Sequence, residues 1–475
     1  MVEYLELVYD NFLSGFNFVQ RLFGTLTKLF KTKKSAVHVV TETSVSPPDE
    51  NPIVISRDRH PISRKNIDQD ALKVLYRLHR NGYLAYLVGG GVRDLLLGKK
   101  PKDFDVGTNA SPRDIKRLFS NSFIIGKRFR IAHIRFRDNK IIEVTTFRKK
   151  SEEDTNRSVI TGLPSIRDNT FGTPREDALR RDITINGIFY NIADFSILDY
   201  VGGLKDLEDG IIRIIGDPRV RFIEDPVRMI RVIRHAARTG YTIEKNTDAA
   251  LRELHDKISL CSPSRIHEEL LKDLKSGYSR KAFELFRKYG LLGNLFPTID
   301  RFISEGKISA LTFFSILDYV DTCVASGKQL SVPFLFAAPL FPNIVAITGN
   351  ISNAQDQQGV DFPRIIQKHL IESLQPVGVS KKNVDTIRQL LYLSWRMFQT
   401  IEKGFIPFSV RKKSHFGEAF ELLGLVVRAY GHFSNSAWPV VSHDGADPLA
   451  KLLRASPSRR RRRGRSRPRP AQNSS

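Results

Sequence analysis

The run Tyr83-Leu84-Ala85-Tyr86-Leu87-Val88 passes without a break into Gly89-Gly90-Gly91 and then Val92-Arg93-Asp94. A short, continuous apolar run reads as a strand buried on both faces. Three glycines directly behind it allow a tight turn into a helix start, so the chain is committed to an α/β unit here. The bare backbone of Gly89 and Gly90 offers N–H groups to a phosphate, with Arg93 one turn on as counter-charge. Such turns are common and most are merely turns. No GxxxxGK[ST] occurs, which excludes P-loop chemistry.

The next segment narrows the chemistry. Lys102-Asp103-Phe104-Asp105-Val106 reads as a second strand. Carboxylates at i and i+2 share one face of a strand, about 7 Å apart at the α-carbons. Phe104 and Val106 are the apolar alternates, which turns the acid face away from the core. Like charges this close call for a counter-charge, which a pair of Mg²⁺ ions supplies, and two such ions can assist both an attacking hydroxyl and a leaving pyrophosphate. Glu143, in Ile141-Ile142-Glu143-Val144-Thr145, is either a third metal-side carboxylate or a partner for an arginine. In Arg180-Arg181-Asp182-Ile183-Thr184-Ile185-Asn186, Arg181 is suited to hold a triphosphate. Asp182 either completes the metal set or orients the loop before it.

Around these motifs the chain reads as α+β. A helical pattern from Asp68 to Gly82 (Ala71, Leu72, Leu75, Leu78) precedes the first strand. A helix near Pro112–Phe119 and strands near Ile131–Phe136 and Ile141–Phe147 complete a small mixed-sheet head, and 149–175 is a polar, aperiodic loop. Beyond Pro226 helical periodicity dominates to about residue 450. The organisation expected is an amphipathic helix and linker over 1–66, a catalytic head over 67–200 and a helical neck over 201–265. A helical body over 266–450 and a disordered arginine-rich tail over 451–475 complete it. In 1–35, Leu5, Val8, Phe12, Phe16, Val19, Phe23, Leu26 and Phe30 form an apolar stripe, followed by Lys31, Lys33 and Lys34. It packs on the protein or docks on a membrane surface or partner. Residues 36–66, with Pro47-Pro48, read as linker.

Charge points to the partner. Lys and Arg number 75 against 51 acids, a net charge of +24. Arg459, Arg460, Arg461, Arg462, Arg463, Arg465, Arg467 and Arg469 account for eight; the remainder is still basic. Polyanions are the natural ligands, nucleic acid before membrane. Cys261 and Cys323 give neither a disulfide framework nor a zinc spacing, which fits a reducing cytosol. No stretch approaches the roughly 20 apolar residues of a membrane span, and acids at 3, 6 and 10 fit neither a secretory signal nor a transit peptide.

Asp225-Pro226 reads as a helix N-cap and first-turn pair, after which Arg228, Arg231, Arg234 and Arg238 line one stripe opposite Met229, Ile230, Val232, Ile233, Ala236 and Ala237. Unrelieved by acids, such a stripe implies a bound anion. Asp225 is a plain cap or, with Arg228, a donor and acceptor pair for a base edge.

Together, GG-x-x-RD, D-x-D, RRD-x-T-x-N and Glu224-Asp225-Pro226-x-Arg228-x-x-Arg231 resemble the class II nucleotidyltransferases, which comprise bacterial poly(A) polymerases and CCA-adding tRNA nucleotidyltransferases. The likeness covers about residues 84–240. Gly126-Lys127-Arg128-Phe129-Arg130-Ile131-Ala132-His133, Arg167-Asp168-Asn169-x-Phe171-Gly172 and the arginine tail are similar to the poly(A) branch. The resemblance implies a head of few strands followed by helical neck and body. It implies Asp103 and Asp105 as Mg²⁺ ligands, with Glu143 or Asp182 as third acid. Gly89, Gly90, Arg93 and Arg181 would hold the triphosphate of ATP, and Asp225, Arg228, Arg231 and Arg234 would select the base. The expectation is a monomeric, cytoplasmic, template-independent enzyme that adds AMP from ATP to RNA 3′ ends, its tail gripping RNA. CCA addition and non-catalytic RNA binding are the alternatives.

Overall fold

The computed structural model describes residues 51–126, 130–149, 170–352, 361–399 and 406–431. The expected helix over 1–35, residues 127–129 of the Gly-Lys-Arg-Phe-Arg segment, Arg167, Asp168 and Asn169, Trp438 and the arginine tail therefore lie outside the described residues.

The main sheet is built from β1 (Ile53–Ile55), β2 (Ala85–Val88), β3 (Asp105–Thr108), β4 (Ser122–Ile125), β5 (Ile131–Arg135) and β6 (Ile141–Thr146). After a small pair, β7 (Arg148–Lys149) and β8 (Thr170–Phe171), it continues with β9 (Ile188–Asn191) and β10 (Ile197–Asp199). Among the described residues its order is β1-β10-β9-β2-β3-β6-β5-β4. Only β3 and β6 run parallel, with Asp105 opposite Glu143. β2 is central and buried throughout, as its unbroken apolar run predicts. Ala85 and Leu87 face the large core, whereas Tyr86 and Val88 join Phe147 and Phe189 on the other face.

Local chemistry sets the head helices. Asp68 caps α1 (Gln69–Arg80) by accepting from the N–H groups of Asp70 and Ala71, and the helix buries Ala71, Leu72, Val74, Leu75 and Leu78. α2 (Gly90–Leu96) follows the glycine turn; Ser111 and Asp114 close a capping box on α3 (Pro112–Leu118), and Thr173 and Glu176 close another on α4 (Pro174–Arg180). After β10 helices dominate the described chain, in keeping with the helical periodicity expected beyond Pro226. α5 (Gly203–Asp209), α6 (Pro218–Glu224), α7 (Val227–Thr239) and α8 (Lys245–Leu254) are followed by α9 (Pro263–Leu274) and α10 (Ser279–Lys288). Further helices continue to Gly431, interrupted near the start by a two-residue parallel pair, β11 (Ile211–Ile212) with β12 (Thr242–Ile243). Trp395 is buried against Phe362, their rings 4.3 Å apart.

Three expectations are corrected. The linker assigned to 36–66 contains β1, whose Ile53 and Val54 pair with Asp199 and Leu198, and beyond it Ile62 and Ile67 are buried in the core. Flanking prolines and serines hid a strand that only a distant partner could reveal. The second strand begins at Asp105, so Asp103 lies in the loop before it. Asp225 does not cap α7. Its side chain turns to Arg265, and only its carbonyl accepts, from the Arg228 N–H.

Close packing joins α5 to the segment that follows α4. A Cβ on Gly203 would lie 2.2 Å from the carbonyl oxygen of Thr184. Gly203→Ala is expected to destabilise the chain by about 1–3 kcal/mol through forced backbone displacement. Chemical denaturation measures this, and an unchanged midpoint contradicts the packing.

Candidate active site

The glycine turn and the acids meet as the sheet register requires. Val88, the last residue of β2, is paired with Asp105, the first of β3. The turn that follows Val88 therefore overhangs the acid. Gly89 adopts φ +74°, open to glycine but rarely to other residues; a Cβ there would lie 3.3 Å from Arg181 Nη1 and 3.7 Å from Asp105 Oδ2. A Cβ on Gly91 would lie 3.1 Å from the Asp103 carbonyl oxygen. The turn, Asp103, Asp105 and Arg181 thus share one small volume.

Asp105 is the electrostatic centre of this cluster. Burial, the neighbouring Glu143 charge and Asp103 push its carboxyl up to about 6, against the opposing pull of Arg181. Glu143 has no arginine partner among the described residues; its Oε1 lies 3.4 Å from His133 Nε2 on the adjacent strand. Among the described residues no three His, Cys, Asp or Glu side chains are grouped as a closed metal cage. The donor set nevertheless suits a hard divalent cation in an open site. Asp103 and Asp105 supply oxygens only, with Glu143 beside them, and burial together with the Glu143 charge raises the Asp105 carboxyl, both of which a cation would offset.

Arg181 and Asp182 part company. Arg181 leans over the Phe189 ring at 5.0 Å and donates through Nε and Nη2 to Asp177 Oδ2, at 3.2 and 2.9 Å. Asp182 points away from the acids. Its Oδ1 accepts from Arg228 Nε at 3.0 Å and its Oδ2 from Arg231 Nη1 at 2.5 Å. Burial opposes its charge, but Arg231 and Arg228 outweigh that and hold the carboxyl well below the usual range. It is not grouped with Asp103 and Asp105. The segment is pinned by Arg221, which donates to the carbonyls of Arg180 and Arg181, both at 2.7 Å.

The arginine stripe of α7 departs from expectation. It is relieved by acids from other elements. Arg228 also donates to Glu224, Arg231 to Glu269, and Arg234 to both Glu269 and Asp273. The bound anion inferred from an unpaired stripe is therefore unnecessary. Arg265 donates to Asp225 Oδ2 at 2.8 Å, while Asp225 Oδ1 is buried without a hydrogen-bond partner among the described residues. Arg93 is buried and donates to Asp94 and Asn186.

Arg221, Arg265, Glu269 and Asp273 escaped the sequence reading. A signal existed for two of them: Glu269 and Asp273 stand four apart on the face of α9 that also buries Ile266 and Leu270, where acids are costly unless paired.

A glycine turn over Asp103 and Asp105, with Arg181 alongside, is an arrangement suited to nucleotidyl transfer. Comparison with known proteins agrees. Residues 85–213 match the Poly A polymerase head domain, and residues 240–303 match the probable RNA and SrmB-binding site of polymerase A. Poly(A) polymerase I of Escherichia coli O6:H1 is 40% identical over 428 residues, covering 86% of this chain and 90% of its own. Poly(A) polymerase I of Haemophilus influenzae is 35% identical over 379 residues (78% and 83%). The CCA-adding enzyme of Lactobacillus johnsonii is 36% identical over 336 residues (70% and 80%). The solved CCA-adding enzyme of Bacillus stearothermophilus shares the fold, with a TM-score of 0.53, 22% identity and coverage of 81% of this chain and 80% of that one. The chain belongs to the poly(A) polymerase family, and it is a nucleotidyltransferase.

The Asp105 carboxyl, ordinarily near 3.8, sits near 6 in the folded chain. The folded state therefore retains a proton that the unfolded state has released, and this group withdraws stability as pH rises through that window. Asp105→Asn is expected to raise the melting temperature at pH 7 in chelator-treated buffer, with the gain fading towards pH 4. A gain equal at both pH values contradicts the assignment.

Proposed function

We propose that this chain is a template-independent poly(A) polymerase, which adds AMP from ATP to RNA 3′ ends and releases pyrophosphate. The observation that carries this reading is the buried, unpartnered Oδ1 of Asp225 beside Arg228. Arg228 spends Nε and Nη1 on Asp182, Glu224 and the Arg221 carbonyl, and its Nη2 has no hydrogen-bond partner among the described residues. One acceptor and one donor group complement a base whose edge carries an amino group next to a ring acceptor. Adenine and cytosine have that pattern; guanine and uracil reverse it. Leaving a buried acceptor unpaired is costly, so the reversed bases are rejected strongly. Between adenine and cytosine, similarity at 40% identity to poly(A) polymerases, over most of both chains, favours adenine.

In this reading the primer hydroxyl attacks the α-phosphate and pyrophosphate leaves. Gly89, Gly90, Arg93 and Arg181 hold the triphosphate, and Arg231 and Arg234 keep Asp182 and α9 in place behind the base site. Mg²⁺, two ions in the full form, held by Asp103 and Asp105 with Glu143 adjacent, would supply charge neutralisation for the attacking and leaving oxygens. Positioning contributes most of the remainder. We assign Asp182 to bracing the neck rather than to the metal. The catalytic head extends from β1 to about residue 200, the neck over 201–265 and the body over 266–450. RNA is gripped along the neck and by Arg459–Arg463, with affinity that falls as salt rises. No helix among the described residues is long and apolar enough to cross a membrane.

Extension of a generic RNA primer with Mg²⁺ and one nucleotide at a time tests this. ATP alone is expected to produce long ladders, and Asp103→Asn and Asp105→Asn to lower the rate by about a thousandfold or more. Products that need CTP, form only on tRNA lacking its end and stop after three additions would place the chain with the CCA-adding relatives. Full activity in both variants would refute the metal assignment.

A further inference from the structure

His235 lies on α7, two turns beyond Arg228, where no base is read. Its ring nevertheless closes two chains of contact that run back into the head. Through Nδ1 it faces Arg93 Nη1 at 3.3 Å. Arg93 also donates to Asn186 Oδ1 at 2.8 Å, and its Nη2 lies 3.3 Å from where a Cβ of Gly90 would stand. Through Nε2 the ring faces Asn186 Nδ2 at 3.2 Å. The backbone carbonyl of Asn186 in turn accepts from Arg181 Nη1 at 3.4 Å, and that same atom borders Gly89. One imidazole thus stands behind both sides of the glycine turn.

The donor arithmetic shows what the ring does. Arg93 can only donate, so the Asn186 oxygen faces Arg93 and its Nδ2 faces the histidine. Burial beside Arg93, Arg234 and Arg238 keeps the ring neutral. A neutral imidazole has one acceptor nitrogen for these two donors, so it accepts either from Arg93 at Nδ1 or from Asn186 at Nε2. Either way the ring limits how far the guanidinium can sink toward the neck. When it accepts from Asn186, one Nη1 hydrogen of Arg93 lacks a good acceptor, and an incoming phosphate oxygen would supply one.

We infer that His235 is a positioning residue for the triphosphate: from the neck it fixes Asn186 and keeps Arg93 turned to the phosphate-binding turn. The inference rests on the nucleotide-binding reading of Gly89, Gly90, Arg93 and Arg181. It also means that the helix selecting the base braces the phosphate subsite with a separate side chain.

The test uses the full chain with His235→Ala and His235→Phe, the second keeping a packed ring without nitrogens. Losing a buried polar partner predicts an increase of about tenfold in KM for ATP, with KM for RNA unchanged. Inhibition by pyrophosphate is expected to weaken in the same proportion and inhibition by adenosine to stay as in the wild type, because the defect lies at the phosphates. His235→Gln, whose amide can still accept from Asn186, should recover part of the loss. Equal weakening of adenosine and pyrophosphate inhibition would mark general damage to the neck and overturn the inference. Unchanged pyrophosphate inhibition in the Phe variant would also overturn it, whether or not the Ala variant folds. A wild-type chain that fails to extend RNA with ATP sinks the polymerase reading alone; the His235 inference is then decided by calorimetric binding of pyrophosphate and adenosine to the same variants.

Discussion

Three arginines spaced along one face of a helix cannot be packed into a protein unless acids come to meet them. Arg228, Arg231 and Arg234 are met by Asp182 from the segment leaving the catalytic sheet, Glu224 from the preceding helix, and Glu269 and Asp273 from α9. The partners come from the head, the neck and the next helix, so satisfying the charges also sets how these parts sit. Removing one member strands the others, a penalty of about 3–5 kcal/mol for a fully buried pair, whereas the intact set need not stabilise more than an apolar core would. Its value is geometric: it holds Arg228 in fixed relation to Asp182 and the segment that leaves the catalytic sheet.

The opposite electrostatic arrangement lies at Asp105, on the far side of Arg181. Asp182 has more positive charge around it than it needs, and its carboxyl stays ionised far below the usual range. Asp105 is buried beside the Glu143 and Asp103 charges with Arg181 as the opposing pull, and its carboxyl is pushed up to about 6. Arg181, between them in sequence, turns toward Asp105 and the glycine turn while Asp182 turns toward the neck. Adjacent residues of an extended backbone point to opposite sides, so one short segment serves both subsites. The uncompensated cluster is the one suited to a cation; the compensated one is a strut.

Much of this was legible in the chain. The apolar run into Gly89–Gly91, the spacing of Asp103 and Asp105, and the capping residue of α1 are local signals, and the head and helical neck follow from them. β1 was not legible, because three β-branched residues among prolines and serines become a strand only by pairing with Ile197–Asp199. Nor was the fate of the arginine stripe. Reading α7 alone suggests an unpaired charge array waiting for an anion, yet apart from Glu224, four residues before Arg228, its acids lie 35 or more residues away in the chain.

The sequence by itself determined the candidate groups: which carboxylates are paired on the β3 approach, where the backbone is bare enough for phosphate, and which segment bears the Asp225 and Arg228 proposed to read the base. Those depend on spacings of a few residues, within which secondary-structure geometry alone places side chains. Only the tertiary structure decided how each charge is used. A carboxylate is left open to a cation or made a strut according to which guanidinium lies within about 3 Å of it, since Coulomb energy in a partly buried site falls steeply with distance and rises as water is excluded. Asp105 and Asp182 are chemically identical side chains. Their different surroundings, assembled from distant parts of the chain, make one a site and the other a support.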